Sequence, residues 1–365
     1  MGKSRSIHVI YGEEPREMVK KLLSAAALEK KIKPGSLIGL KPNLVVAKPS
    51  SSGATTSPEI TGAVIEYLKE NSFDNIIMLE GSWIGDSTEK AFSVCGYRDL
   101  SEKYGVPLFD TKRDSFTVKK SGSYSMEISD KALEVDFLIS MPVIKGHCQT
   151  GMTGALKNMK GCISDREKRK FHQQGLHDPI AHLNAIICPD FIIADGLCGD
   201  LDFEEGGNPV RMNRIFCAED PVLADSYIAS LLGYMPQEIP YISASEKLGA
   251  GSMDIESAEI IELNKDRTIT VPPSSGRVKS LSRYIDQKSA CSACYANLIH
   301  ALARLEDSGR LSGLKDKISI GQGFRWKESD SPGIGSCTSG FENYLPGCPP
   351  APLDIMDFLK DEIER

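Results

Sequence analysis

SLIGLKPNLVV (residues 36–46), PEITGAVIEYLKE (Pro58–Glu70) and NIIML (residues 75–79) place a β-rich run, a helix and a strand in succession. The helix has clear start signals, because Ser57 can cap its first amides and Pro58 suits its first turn. Apolar strands separated by helices indicate a mainly parallel sheet with helices on both faces. The sequence therefore predicts the α/β fold class.

The same alternation continues on both sides of these segments. Apolar runs predict further strands at residues 6–11, 137–143 and 191–194. Apolar positions at helical spacing predict further helices at residues 15–31, 152–162, 178–187 and 222–232. Residues 111–129 alternate polar and apolar side chains, which indicates a β-hairpin on the edge of the sheet. We assign these elements to one α/β domain at residues 1–245.

The composition argues against several classes of function. A net charge of −7 over 365 residues does not favour a nucleic-acid-binding surface, because phosphate backbones require clustered Lys and Arg. The N-terminal MGKSRSIHVIY does not resemble a signal peptide, and no window reaches the roughly 18 apolar residues of a membrane-spanning helix. We therefore expect a cytoplasmic protein with small-molecule or protein partners. In that compartment its ten cysteines favour metal binding or catalysis over disulfides.

Residues 246–365 differ in composition and are assigned to a small, irregular C-terminal module. Short strands are predicted at residues 258–263 and 268–271, and a helix with two cysteines at residues 289–306. A stretch rich in Gly, Ser and Pro follows at residues 321–352. Because such a stretch has few periodic apolar residues, a bound metal would stabilise it.

Four cysteines of this module form a pattern that suits a metal centre. Cys291 and Cys294 are a C-x2-C pair at the start of the predicted helix, Cys337 ends the segment GIGSC, and Cys348 lies in LPGCPP. The glycines allow the backbone to approach a cluster, and the prolines fix the turn around the last cysteine. The irregular separations do not match a zinc ribbon, and four thiolates suit a [4Fe–4S] cluster. An iron–sulfur cluster is therefore predicted, with zinc as the alternative.

Polar motifs follow four of the predicted strands, where ligands bind in parallel sheets. The candidate catalytic residues, which would supply positive charge and a proton donor or acceptor, are Lys41, Lys145, His147 and Lys157. The candidate ligand-binding residues are Asn43, Thr55, Thr56, Glu80, Asn158 and Asp195. If the strands are parallel, these motifs converge on one rim of the sheet.

The loop QTGMTGALKN, at residues 149–158, would present backbone N–H groups to a phosphate or carboxylate at the start of a helix. It matches neither the P-loop pattern nor G-x-G-x-x-G, so no nucleotide is predicted. The basic run at residues 166–170 is interpreted as a solvated loop or as a lid over the rim. The acidic segment at residues 199–207 is interpreted as a solvated loop.

These motifs, in this order, resemble the domain-of-unknown-function 362 family. The segments that carry the resemblance are Lys41-Pro42-Asn43-Leu44, Thr55-Thr56 with Pro58-Glu59, Glu80-Gly81-Ser82, Lys145-Gly146-His147, Thr153-Gly154-Ala155-Leu156-Lys157-Asn158 and Asp195-Gly196. The family is associated with iron–sulfur modules, often a two-cluster ferredoxin segment; here a single set of four cysteines stands instead. That set resembles the cluster ligands of hydrogenase small subunits.

Two hypotheses of function follow. In the first, an iron–sulfur redox protein passes single electrons to or from an acidic small molecule or a protein partner at the Lys/His rim. In the second, the iron–sulfur cluster or zinc is structural, and the α/β domain is a non-redox enzyme that acts on a carboxylate or phosphate ligand. A scaffold or carrier that delivers electrons or a cluster is a third possibility.

Overall fold

A computed structural model describes residues 4–265 and 276–364 of the chain. The chain forms two compact units. The first comprises Met1–Lys168 and Leu176–Pro273, and the second comprises Arg169–Gly175 and Ser274–Arg365.

The first unit is built on a large sheet that holds eight of the described strands. The strands of this unit are β1 (Ser6–Tyr11), β2 (Ile38–Pro42), β3 (Ile76–Glu80), β4 (Leu108–Asp110), β5 (Phe116–Ser121), β6 (Tyr124–Ser129), β7 (Phe137–Met141), β8 (Lys145–His147), β9 (Gly151–Thr153), β10 (Phe191–Asp200), β11 (Pro209–Ala218) and β12 (Glu259–Glu262). The order across the large sheet is β12-β1-β11-β10-β7-β2-β3-β4. Only β11 runs antiparallel to its neighbours, β1 and β10, among the described strands of this sheet. The sheet is therefore mainly parallel, and the predicted α/β fold class is confirmed.

Helices cover the central strands of this sheet. Strands β2 and β7 are buried at every position, which requires packing against both faces. The helices that begin in the first unit are α1 (Pro15–Ala25), α2 (Pro58–Glu70), α3 (Thr88–Val94), α4 (Tyr97–Tyr104), α5 (Asp130–Glu134), α6 (Ala155–Asn158), α7 (Asp165–Gln174), α8 (His177–Ile186), α9 (Pro221–Leu231) and α10 (Pro240–Lys247). The last residues of α7 belong to the second unit.

Helix α2 begins and ends where its sequence predicts. The Ser57 side chain accepts a hydrogen bond from the Glu59 N–H at 3.2 Å, and Pro58 occupies the first turn. The face that carries Ile60, Val64 and Leu68 is fully buried, which gives the helix its place in the core of the unit.

Several elements differ from their predictions. The predicted hairpin forms as β5 and β6, but it is a separate two-stranded sheet and does not extend the large sheet. The predicted helix at residues 152–162 is shorter, because Gly151–Thr153 pairs with Lys145–His147 before the chain turns into α6. Strand β11 was not predicted.

Two further segments differ from their assignments. The basic run lies in helix α7, whose Lys168 is buried, so it is not a solvated loop. Strand β12 pairs with β1, which places this part of the predicted C-terminal module in the sheet of the first unit. The predicted strand at residues 268–271 lies outside the described residues.

The second unit combines a small sheet with three helices among its described residues after residue 275. These elements are α11 (Arg277–Leu281), β13 (Ile285–Gln287), α12 (Ser292–Asp307), β14 (Ile318–Ile320), β15 (Gly333–Ile334), β16 (Tyr344–Leu345) and α13 (Pro352–Glu364). The strands are parallel, in the order β13-β14-β15-β16. Helix α12 buries Leu298, Ile299 and Leu302 completely, so the unit has an apolar core beside its irregular loops.

None of the helices in the described part of the chain has the length and apolarity needed to cross a membrane.

Candidate functional site

Lys41 is buried at the end of β2 and has a full set of acceptors. Its ammonium group lies 2.9 Å from Oε1 of Glu80, and it donates hydrogen bonds to the Pro42 carbonyl at 2.8 Å and to Oδ1 of Asn158 at 3.1 Å. Glu80 is the last residue of β3, and its carboxylate also accepts hydrogen bonds from two backbone N–H groups. Because three acceptors match the three protons of an ammonium group, this ion pair joins neighbouring strand ends and leaves Lys41 no further donor.

Lys145, at the start of β8, is held in the same way. Its ammonium group donates to Oδ1 of Asn43 at 3.2 Å, to the Glu204 carbonyl at 2.7 Å and to the Ala54 carbonyl. Burial lowers the pKa of Lys145 to about 7, although the Glu204 carboxylate acts in the opposite direction.

The side chains of His147, Lys157 and Glu204 meet at one point. Nζ of Lys157 and Nε2 of His147 each lie 2.8 Å from Oε2 of Glu204. Nδ1 of His147 accepts backbone N–H groups from Gln149 and Thr150 at 3.0 and 3.1 Å, so a neutral ring carries its proton on Nε2. The Nε2 contact with Glu204 lacks hydrogen-bond geometry, which leaves a buried ring nitrogen without a hydrogen bond in the described part of the chain.

The charges of this trio follow from its burial. Burial lowers the pKa of His147 to about 4, so the ring is neutral at physiological pH. Burial alone would raise the pKa of Glu204, but the contacts with His147 and Lys157 outweigh it and hold that pKa well below its usual range. Both contacts therefore favour the ionised form of Glu204.

The acidic segment that supplies Glu204 is packed and not solvated, so that interpretation was wrong. Asp200 is fully buried and accepts three backbone N–H groups of its own loop at 2.8–2.9 Å. Burial, followed by the negative charge of Glu204, raises the pKa of Glu205 to about 7. The loop lies close to β8, since a Cβ at Gly146 would come within 2.1 Å of the Leu201 carbonyl oxygen.

Two further buried carboxylates bind backbone amides at helix starts. Asp195 accepts the N–H of Ser57 at 2.7 Å, just before α2, and Asp225 accepts the first two amides of α6 at 2.5 and 3.2 Å. Burial raises the pKa of Asp195 to about 6 and that of Asp225 to about 7. The Gly/Thr-rich loop thus does bind a carboxylate, but that carboxylate belongs to Asp225 of the same chain.

The other candidate ligand-binding residues form hydrogen bonds with backbone groups near the strand ends. Thr56 donates to the Met141 carbonyl at 2.6 Å and accepts the N–H of Asn43 at 2.8 Å. Thr55 donates to a loop carbonyl at 2.8 Å, and Asn158 donates to the backbone of Lys41 at 3.0 Å. Since these groups are used within the fold, His147 and Lys157 are the candidates best placed to meet a ligand.

In the second unit, the four cysteines lie near the carboxyl ends of the small parallel sheet. Strand β13 leads to Cys291, β15 to Cys337 and β16 to Cys348, while Cys294 lies in the first turn of α12. The backbone of the Cys337 loop bonds to that of the Cys348 loop, through Ser336 N–H and Gly347 O at 2.9 Å.

The four thiols are near enough to act on one another. Burial raises the pKa of Cys294 to about 12, and the sulfurs of Cys291, Cys348 and Cys337 add to this effect. Burial and then Cys337 and Cys348 raise the pKa of Cys291. Within residues 4–265 and 276–364, however, no group of three or more His, Cys, Asp or Glu side chains has the geometry of a metal-ion site. The four cysteines as metal ligands, and the metal itself, stay predictions.

Two residues near these sites were missed in the sequence. Glu204 lies in a segment whose charges resemble those of a surface loop, and its contacts with His147 and Lys157 mark it as part of the site. Gln322 donates to the sulfur of Cys291 at 3.5 Å. Its position just after an apolar strand, in the manner of the cysteines, is the signal that could have indicated it.

Residues 38–230, more than half of the chain, match the sequence model of the domain-of-unknown-function family DUF362. The chain belongs to the DUF362 family. The matched region contains every rim residue named above and none of the four cysteines of the second unit.

Two further proteins are similar to this DUF362 chain. The thylakoid-associated protein sll1697 of Synechocystis sp. (strain PCC 6803) is 26% identical over 229 residues, which cover 60% of this chain and 70% of that protein. The lactate racemase apoprotein of Thermoanaerobacterium thermosaccharolyticum aligns with a TM-score of 0.41 and 15% identity. That alignment covers 65% of this chain and 58% of the racemase chain, so this chain spans less than two thirds of that structure's length.

Proposed function

We propose that this DUF362 protein is a cytoplasmic iron–sulfur protein that exchanges single electrons with an anionic small molecule or a redox protein. Cys291, Cys294, Cys337 and Cys348 would hold a [4Fe–4S] cluster, which would supply one-electron chemistry when bound. The observation that carries the proposal is that three of the four cysteines follow parallel strands of one sheet and the fourth begins the adjoining helix.

The donor set suits such a cluster. Four thiolates are the common ligands of a [4Fe–4S] centre. The neighbouring sulfurs disfavour the thiolate form of Cys294, and the positive charge of bound iron would favour it. The backbone before the last cysteine is tightly folded, since a Cβ at Gly347 would lie 2.7 Å from the Pro350 Cα. This loop therefore depends on glycine to bring Cys348 to the other sulfurs.

Metal analysis after anaerobic purification tests the proposal. We expect iron and acid-labile sulfide in equal amounts, with broad visible absorption that bleaches on reduction. Cys348→Ser should lose the iron, whereas Cys188→Ser, in the first unit, should keep it. Stoichiometric zinc in place of iron would contradict the proposal.

The anionic class of the ligand is supported by Glu204. Lys157 and His147 both approach its carboxylate, and Lys145 donates to its backbone. The protein's own carboxylate thus occupies a position that would suit a ligand carboxylate or phosphate. Because the carboxylate that His147 and Lys157 contact belongs to a side chain, a ligand carboxylate or phosphate could take its place between them.

Ligand binding can be measured by thermal stabilisation with a panel of carboxylates and inorganic phosphate. Glu204→Gln keeps the size of the side chain but removes the competing charge, so we expect an anion that binds to do so several-fold more tightly. Lys157→Met should abolish the stabilisation. Glu256→Gln, the same change at an exposed position, is the control and should have no effect. Equal binding by all variants would place the anion site elsewhere.

A non-redox enzyme with a structural metal is the second candidate. It is favoured by the trio of His147, Lys157 and Glu204, because a neutral imidazole beside a carboxylate and an ammonium group can transfer protons without a redox centre. If Cys348→Ser loses its metal but still converts a ligand found in the panel, the structural role is correct and the redox role fails.

A further inference from the structure

In the small sheet of the second unit, one strand leads to a glutamine and the other three lead to cysteines. Strands β13, β15 and β16 each lead to one of the four cysteines, but β14, which lies between β13 and β15, leads to Gln322. Because the strands are parallel, these four chain segments emerge at the same edge of the sheet.

Backbone contacts fix the position of Gln322 beside Cys291. Its N–H donates to the Ser289 carbonyl at 3.1 Å, and the next residue, Gly323, donates to the Lys288 carbonyl at 2.9 Å. Gly321 allows this approach, since a Cβ there would lie 2.2 Å from the Lys288 carbonyl oxygen. The segment that ends at Cys291 is therefore held directly against the turn that carries Gln322.

A hydrogen bond from Gln173 orients the side-chain amide of Gln322. Nε2 of Gln173 donates to Oε1 of Gln322 at 2.8 Å, which turns Nε2 of Gln322 toward the Cys291 sulfur, 3.5 Å away. The backbone carbonyl of Gln173 accepts a hydrogen bond from the Ser289 hydroxyl at 3.3 Å. The side-chain amides of Gln173 and Gln322 therefore form a chain of hydrogen bonds that ends at the Cys291 sulfur.

We propose that Gln322 is a positioning residue whose hydrogen bond to the Cys291 sulfur makes the bound cluster easier to reduce. This inference rests on the proposed iron–sulfur function. Reduction adds one electron from an external donor and neither forms nor breaks a bond to the protein, so the negative charge on the sulfurs rises. A donated hydrogen bond stabilises the more negative state, and hydrogen bonds to sulfur are among the factors that set such potentials. Arg325, whose charge also acts on Cys291, works in the same direction.

The test is a dithionite titration of the anaerobically purified full-length protein, followed by electron paramagnetic resonance. Gln322→Leu should lower the midpoint potential by a tenfold change in the reduction equilibrium, about 59 mV for one electron. Gln173→Leu should shift it in the same direction by less, because it removes only the group that orients the amide. Gln174→Leu, at the exposed neighbouring position, should leave the midpoint unchanged.

The outcomes separate this inference from the proposed function. A cluster-containing protein whose midpoint is the same in wild type and Gln322→Leu overturns the role of Gln322 alone. A wild type that holds zinc and no iron overturns both. If Gln322→Leu does not load iron, Gln322→Asn is titrated instead, because its amide is too short to reach the sulfur; an unchanged midpoint there also overturns the inference.

Discussion

At the residue scale, the ion pair between Lys41 and Glu80 should be important for stability. Both side chains are almost fully buried, so Lys41→Met would leave a buried carboxylate without its cation. Breaking such a pair from one side costs about 3–5 kcal/mol. We expect the free energy of unfolding, measured by urea denaturation, to fall by about that amount.

A second ion pair provides the control for this prediction. Lys20 and Glu70 lie 2.6 Å apart but are more than half exposed, so Lys20→Met should cost less than about 1 kcal/mol. The double variant Lys41→Met/Glu80→Gln should be less destabilised than the sum of the single changes, because neither partner is then left as a lone buried charge. Additive effects would show that the two charges do not interact.

The residues of the rim were predictable as a set, but their individual contacts were not. Lys41, Lys145, His147 and Lys157 follow or flank predicted strands, and parallel strands bring their carboxyl ends together. The sequence does not show that Asn158 and Glu80 use up the protons of Lys41, or that Glu204 lies beside Lys157. Those contacts join residues far apart in the chain, and local patterns contain no information about them.

At the element scale, Asp225 of α9 should make stability depend on pH through its contact with α6. Burial raises its pKa from about 4 in the unfolded chain to about 7, so the folded state holds this proton more tightly. The free energy of unfolding should therefore fall as the pH rises between these two values. From about pH 5 to about pH 8, the share of Asp225 should be about 2–3 kcal/mol.

Asp225→Asn checks this dependence, since an amide does not titrate. Denaturation at both pH values should show a smaller difference in stability in the variant than in wild type, whatever its absolute stability. Asp99→Asn, at an exposed position in α4, should retain the wild-type difference. An unchanged pH dependence in Asp225→Asn would mean that this carboxyl is ionised in the folded protein across the whole range.

Elements with strong local signals were predicted more accurately than those defined by distant pairing. Helix α2 has a capping serine, a proline in its first turn and a continuous apolar face, and its predicted bounds match. Strand β11 contains Arg211 and Arg214 and has no regular alternation, so its sequence resembles a loop. It is a strand because it pairs with β1, about 200 residues earlier, and with β10. Tertiary pairing outweighs local propensity in such a segment.

At the scale of the whole molecule, the second unit has two sources of order. Helix α12 is buried along most of its length against an apolar core. The loops at residues 321–352 have short strands and many turns, and two of the four cysteines lie in them. Sequence composition indicated that a metal would stabilise this region, and we expect that effect in the loops rather than in α12.

Loss of the proposed cluster should therefore unfold the second unit only in part. In Cys348→Ser, we expect amide hydrogen exchange to accelerate at least about tenfold at residues 321–350, because a ligand that binds only the folded form no longer protects them. Helix α12 and the large sheet of the first unit should keep their protection, since their cores are apolar and complete. Cys188→Ser serves as the control with intact loops. Equal acceleration in α12 would mean that the metal holds the whole unit together, and no acceleration in the loops would mean that the four sulfurs bind nothing that stabilises the fold.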